Sequence, residues 1–115
     1  MSKDPWAMKR IDKADDLDFQ FKVAGIRGYL REHEFWADRQ WRLDFAFIEQ
    51  RLAVEVAGGL YVPGGGGHTR GKAFEDDCEK YAHLAIAGFR LMVVSPRQVK
   101  SGVALQWIER ALSGR

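Results

Sequence analysis

A single cysteine, Cys78, stands in 115 residues, so an internal disulfide is excluded and a reducing compartment is expected. Its expected place is the apolar side of a helix, as a small buried residue. No apolar run approaches the roughly 20 residues that span a bilayer. The opening Met1-Ser-Lys-Asp-Pro-Trp6 lacks the apolar core of a secretory signal. A soluble, cytoplasmic protein with no membrane partner is therefore expected. Neither sign of charge dominates, since 18 Lys and Arg against 16 Asp and Glu leave +2. That balance permits nucleic-acid binding without requiring it. Internal repeats are absent, and Gly64–Gly67 is the only low-complexity tract. The length suits one domain over 1–115, with residues 1–12 expected to be flexible.

What is present reads as an α/β chain. Leu17, Phe21, Ala24, Tyr29 and Leu30 fall at helical spacing across 13–31, interrupted near Gly25. Three short segments rich in aromatic and β-branched residues follow, Glu34–Ala37, Trp41–Ile48 and Leu52–Ala57, joined by polar turns. They predict an antiparallel meander. A glycine-rich loop, Gly58 to Gly71, leads into a helix from about Lys72 to Ala87, closed by Gly88. Phe89–Ser95 predicts a buried strand stopped by Pro96, and Val103–Leu112 a last amphipathic helix. The predicted order is αβββαβα.

The hairpin carries the chemistry. With Glu49 and Gln50 at its turn, Asp44 falls opposite Glu55. Like charges facing each other across a ladder destabilise it, so a cation is expected to hold them. Strand alternation puts Leu43, Phe45, Phe47, Leu52, Val54 and Val56 on one face and Asp44, Ala46, Ile48, Ala53, Glu55 and Ala57 on the other. The alanines predict space beside the acids. Two hard carboxylates suit Mg²⁺, with Mn²⁺ as a substitute. A third acid is Glu34 if the preceding turn has three residues; with two, His33 takes its place opposite Asp44. Asp16 and Asp18 are better explained as helix-start charges.

The loop and the following helix add further candidates. Phe74, Cys78, Tyr81 and Ala85 predict the helix's buried stripe, with Asp77 inside it and Lys80 at its edge. Lys80 either pairs with Asp77 or reaches the acids to orient water or neutralise phosphate. His68 either supplies a base or phosphate contact or is simply solvated. Gly66-Gly-His-Thr-Arg-Gly71-Lys72-Ala73 nearly matches a nucleotide-binding loop, yet Ala73 replaces the Ser or Thr that would meet Mg²⁺.

Together Arg42-Leu-Asp-Phe-Ala-Phe47, Leu52-Ala-Val-Glu-Val-Ala-Gly-Gly59, His68-Thr-Arg-Gly71 and Asp77-Cys-Glu-Lys-Tyr81 resemble the PD-(D/E)XK nuclease superfamily. The likeness extends to its small phage and prophage endonuclease-like members, and by architecture to very-short-patch repair endonucleases, VRR-NUC domains and Holliday junction resolvases. It covers about Gly25 to Leu112. It implies a restriction-endonuclease-like core, a mixed four-stranded sheet flanked by helices. It further implies that Asp44 and Glu55 bind Mg²⁺, with the Val56 carbonyl as a further ligand. Ala57 stands where the superfamily has its lysine. Lys80 is then the migrated lysine, or His68 the base, or the fold survives as a catalytically weak DNA-binding or assembly module. The activity implied is metal-dependent hydrolysis of DNA phosphodiesters, branched or duplex, in phage DNA processing inside a bacterial host. A homodimer is implied as well. Arg42, Arg70 and Lys72 would grip phosphates, and Trp36 and Trp41 either stack on unpaired bases or pack internally.

Overall fold

The computed structural model describes residues 14–57 and 67–114, with side chains at 14–57 and 71–114. Residues 1–12 and the start of the expected loop, 58–66, lie outside the described residues. The first helix, α1 (Asp15–Ala24), is ended by Gly25 at φ 75. The Gly25 amide donates to the Lys22 carbonyl (3.2 Å) and the Ile26 amide to the Phe21 carbonyl (2.9 Å), which satisfies the last orphan carbonyls. The helix expected over 13–31 is therefore corrected. Its apparent continuation is a strand, β1 (Tyr29–Glu34), which replaces the first strand expected at Glu34–Ala37.

Next in the chain come β2 (Arg42–Phe47), β3 (Leu52–Val56), α2 (Gly67–Ile86), β4 (Arg90–Val94), α3 (Pro96–Ser101) and α4 (Val103–Leu112). Among the described residues the order is αβββαβαα, with one short helix, α3, beyond the expected elements. Ser95 starts that helix by a reciprocal cap. Its hydroxyl accepts from the Gln98 amide at 3.1 Å while the Gln98 side chain accepts from the Ser95 amide at 3.0 Å. Pro96 does stop β4, because it opens α3 where a missing amide costs nothing.

The sheet is mixed, with order β1-β2-β3-β4. β1–β2 and β2–β3 pair antiparallel, and β3–β4 pair parallel through the α2 crossover. On one face α1, α3 and α4 bury Leu17, Phe21, Val99, Ala104 and Ile108 against Phe45, Phe47, Leu52, Val54 and Val56. Phe21 is the hub, packing edge-on to Tyr29, Phe45 and Phe47 at 5.0, 5.0 and 5.7 Å between centroids. On the other face Leu84 of α2 and Phe89 cover Leu43, Ala46 and Ala53.

Two packing expectations are corrected here. Leu43, which strict alternation groups with Phe45, packs with Ala46 instead, so the pleat is interrupted at Asp44. The space predicted beside the alanines is filled by Leu84 and Phe89; Ala46 and Ala53 are fully buried. Their small size admits α2 close to the sheet. Among the described residues no helix is long and apolar enough to cross a membrane.

Candidate active site

The β2–β3 register pairs Phe45 with Val54, Ala46 with Ala53 and Phe47 with Leu52, so one step further Asp44 and Glu55 stand opposite each other. The turn is wider than Glu49-Gln50. It runs from Ile48 to Arg51, with Arg51 left-handed at φ 54, and keeps the same register. At the acid pair the backbone ladder gives way to side chains. The Val56 amide donates to Asp44 Oδ2 at 2.8 Å, and the Asp44 amide donates to Glu55 Oε2 at 3.1 Å. Each carboxylate thus satisfies an amide that the parting strands would otherwise leave unpaired.

A cation is also present, and it is part of the chain. Lys80 reaches from α2 to place Nζ 3.0 Å from Glu55 Oε1 and 2.8 Å from the Arg42 carbonyl oxygen. The Lys80 and Glu55 side chains are only 14% and 15% exposed. Burial pushes the Glu55 carboxyl up from its ordinary value, and the neighbouring Asp44 charge adds to the rise; the Lys80 ammonium and the Asp44 amide oppose it. The balance remains upward, so the site disfavours negative charge unless positive charge is brought in.

The third acid is corrected. Because β1 begins at Tyr29, Glu34 stands opposite Arg42 and His33 opposite Leu43. The position facing Asp44 belongs to Glu32, between the Arg31–Phe45 and His33–Leu43 pairs, with φ 54. Glu32 and Glu34 both engage Arg42, each at 3.4 Å. Arg42 therefore already has two acidic partners.

Helix α2 is rotated from the expected orientation. Phe74, Cys78, Tyr81 and Ala85 are exposed, as is Asp77, and among the helix's described side chains Leu84 is the buried one. This turns Lys80 inward, on the same side as Leu84. The helix also begins at Gly67, so His68 and Arg70 lie on helical backbone where a loop was expected, and their side chains lie outside the described residues. From Gly67 to Lys72 the backbone is helical, where a nucleotide-binding loop would be open. Lys72 is exposed and pairs with Asp76 at 3.7 Å.

Tyr81, expected in the buried stripe, stands 36% exposed. Partial burial raises its phenol above the ordinary value, and the charges of Asp77, Glu55 and Asp44 raise it further. Trp36 and Trp41 pack on His83, at 4.7 and 5.1 Å between centroids.

Asp44, Glu55 and the Val56 backbone are thus brought together with Lys80, while Glu34 and Lys72 are placed elsewhere. No group of three or more His, Cys, Asp or Glu suited to a metal occurs among the described residues. Two carboxylates remain a usual protein contribution to Mg²⁺, which keeps several waters and takes substrate phosphate oxygens as well. Comparison with family models, curated proteins and solved structures finds no match to this chain.

Proposed function

We propose that the chain is a metal-dependent DNA endonuclease with a restriction-endonuclease-like fold of the PD-(D/E)XK kind. The observation that carries this reading is Lys80 within 3.0 Å of Glu55, because it supplies from α2 the ammonium that Ala57 cannot. The mixed four-stranded sheet with helices on both faces agrees with that fold. Asp44, Glu55 and the Val56 carbonyl are hard oxygen donors that fit Mg²⁺ or Mn²⁺. A bound ion there would lower the pKa of water and stabilise charge on a phosphate. The chain's own residues do the rest. Asp44 and Glu55 are fixed by each other's strand amides, so they need no reorganisation, and Lys80 holds positive charge where a phosphate oxygen gains negative charge.

The test is cleavage of four-way junctions, flaps, mismatched duplex and plain duplex with Mg²⁺ or Mn²⁺. Asp44→Asn and Glu55→Gln should each reduce cleavage to background. Unchanged cleavage in both would remove these residues from the active site. One observation favours a second reading, a DNA-binding module without catalysis: both carboxylates already have amide partners, and Glu55 a lysine, within the chain. Binding of the same DNA panel with no cleavage under either ion is the outcome that selects it.

A further inference from the structure

Trp41 precedes Asp44 by three residues, about 10 Å along an extended chain, and its surroundings play no part in the acid site. The connection from β1 to β2 is fixed to α2 by aromatic contacts. His83 meets Trp36 and Trp41, and Phe35 lies nearly parallel to Trp41, with an interplanar angle of 17° and centroids 6.1 Å apart. Over the Trp41 ring lies the Arg39 guanidinium, 3.9 Å from the centroid. Glu79 of α2 holds it there through a 2.9 Å bond between Arg39 Nη1 and Glu79 Oε2. Asp38, Arg39, Gln40 and Trp41 line an open depression at this place.

We propose that this depression is a subsite for one unpaired nucleobase of a DNA strand, stacked on the Arg39–Trp41 pair. The base-binding step stands by itself; its consequence, a preference for cutting DNA with single-stranded segments, rests on the nuclease reading above. The physical argument is one of planes. A guanidinium backed by an indole and held by a carboxylate is a flat, cationic platform, and both aromatic rings and guanidinium planes stack on bases. Bases within a duplex already have both faces covered by their neighbours. A platform at a surface depression therefore selects bases that are unpaired or splayed out. Asp38 and Gln40 are exposed at the rim, and among the described residues their side chains have no partner. A carboxylate and an amide in that position can meet the hydrogen-bonding edge of a stacked base. The short chain distance to Asp44 keeps the base near the phosphate to be cut.

The experiment measures binding in EDTA, where metal-dependent cleavage is absent, by tryptophan fluorescence and anisotropy with short oligothymidylate and with duplex of equal length. The wild-type protein should prefer the single strand. Arg39→Lys keeps the charge and removes the plane; it should weaken single-strand binding by about tenfold and duplex binding by less than about twofold. Trp41→Phe, which keeps a ring, should fall between wild type and Arg39→Lys, with unchanged thermal unfolding showing that the fold is intact. Equal affinity of the wild type for both DNAs, or an Arg39→Lys protein that binds the single strand as wild type does, overturns the proposal. The two readings fail separately. Absence of Mg²⁺-dependent cleavage with single-strand preference intact refutes the nuclease alone, and cleavage with no such preference refutes the base subsite alone.

Discussion

Asp44 and Glu55 each bond to a strand amide, and Lys80 neutralises Glu55. Lys80→Met should therefore raise the Glu55 pKa further, since the ammonium is the strongest influence opposing burial. It should also lower stability by about 2 kcal/mol. Carbon NMR of the carboxyl and urea unfolding measure the two effects; a Glu55 pKa that falls would refute the pairing. The sign for Glu55 itself follows from its raised value. Its ionisation costs folding free energy, so that contribution to stability is greatest below the ordinary value of 4.5 and declines as pH rises through the folded value. Cleavage that needs ionised Glu55 should decline in the opposite direction, as pH falls through the folded value. Elsewhere, the Tyr29 hydroxyl donates to Asp18 Oδ1 at 2.5 Å, tying β1 to α1. Burial raises the Asp18 carboxyl, but Tyr29, Lys22 and Arg31 together bring it below 3.8. Stability from this contact is present above 3.8 and lost as pH falls through the folded value. Asp18→Asn should flatten that acid limb in urea titrations. Tyr29, pushed up to about 12 by burial and by Asp18, should titrate well after an ordinary tyrosine in ultraviolet spectra.

At the level of elements, legibility depended on which periodicity had a competitor. The β2–β3 register was readable because the period of two and a short polar turn leave little freedom. Strand β1 was not, because Tyr29 and Leu30 also continue a helical spacing from Leu17 and Phe21; only the left-handed Gly25 ends it. The rotation of α2 departs from the sequence expectation for a related reason. Its larger apolar residues, Phe74 and Tyr81, suggest one buried face, whereas contact with the sheet uses Leu84 and the stem of Lys80. Leu84→Ala should accordingly cost about 2–5 kcal/mol, and Phe74→Ser should change stability by less than about 0.5 kcal/mol. Chemical unfolding compares them, and a larger loss at Phe74 would contradict the observed rotation. The extra helix α3 is marked in the residues by Ser95 followed three positions later by Gln98, a capping pattern.

Across the whole molecule, much of the described basic charge is matched internally. Arg31 meets Asp15 and Asp18, Arg39 meets Glu79, Arg42 meets Glu32 and Glu34, Lys72 meets Asp76 and Lys80 meets Glu55. These paired cations are less available to replace counterions on DNA, whereas Arg27, Arg51, Arg97, Lys100 and Arg110 have no ion pair among the described residues. The slope of log affinity against log salt should therefore stay at about −4 or less in magnitude, as measured by anisotropy between low and moderate salt. A slope near −6 would show that these pairs open to grip phosphates. The sequence by itself determined the mixed α/β class, the hairpin and the facing of Asp44 on Glu55, since these depend on period, turn length and neighbours close in the chain. Tertiary structure alone decided which cation meets the acids, which acid faces Asp44 and which side of α2 is buried. Each of those depends on how distant segments pack. One residue of register or one turn of helix rotation exchanges the side chains that meet, and only the packed molecule selects among the alternatives.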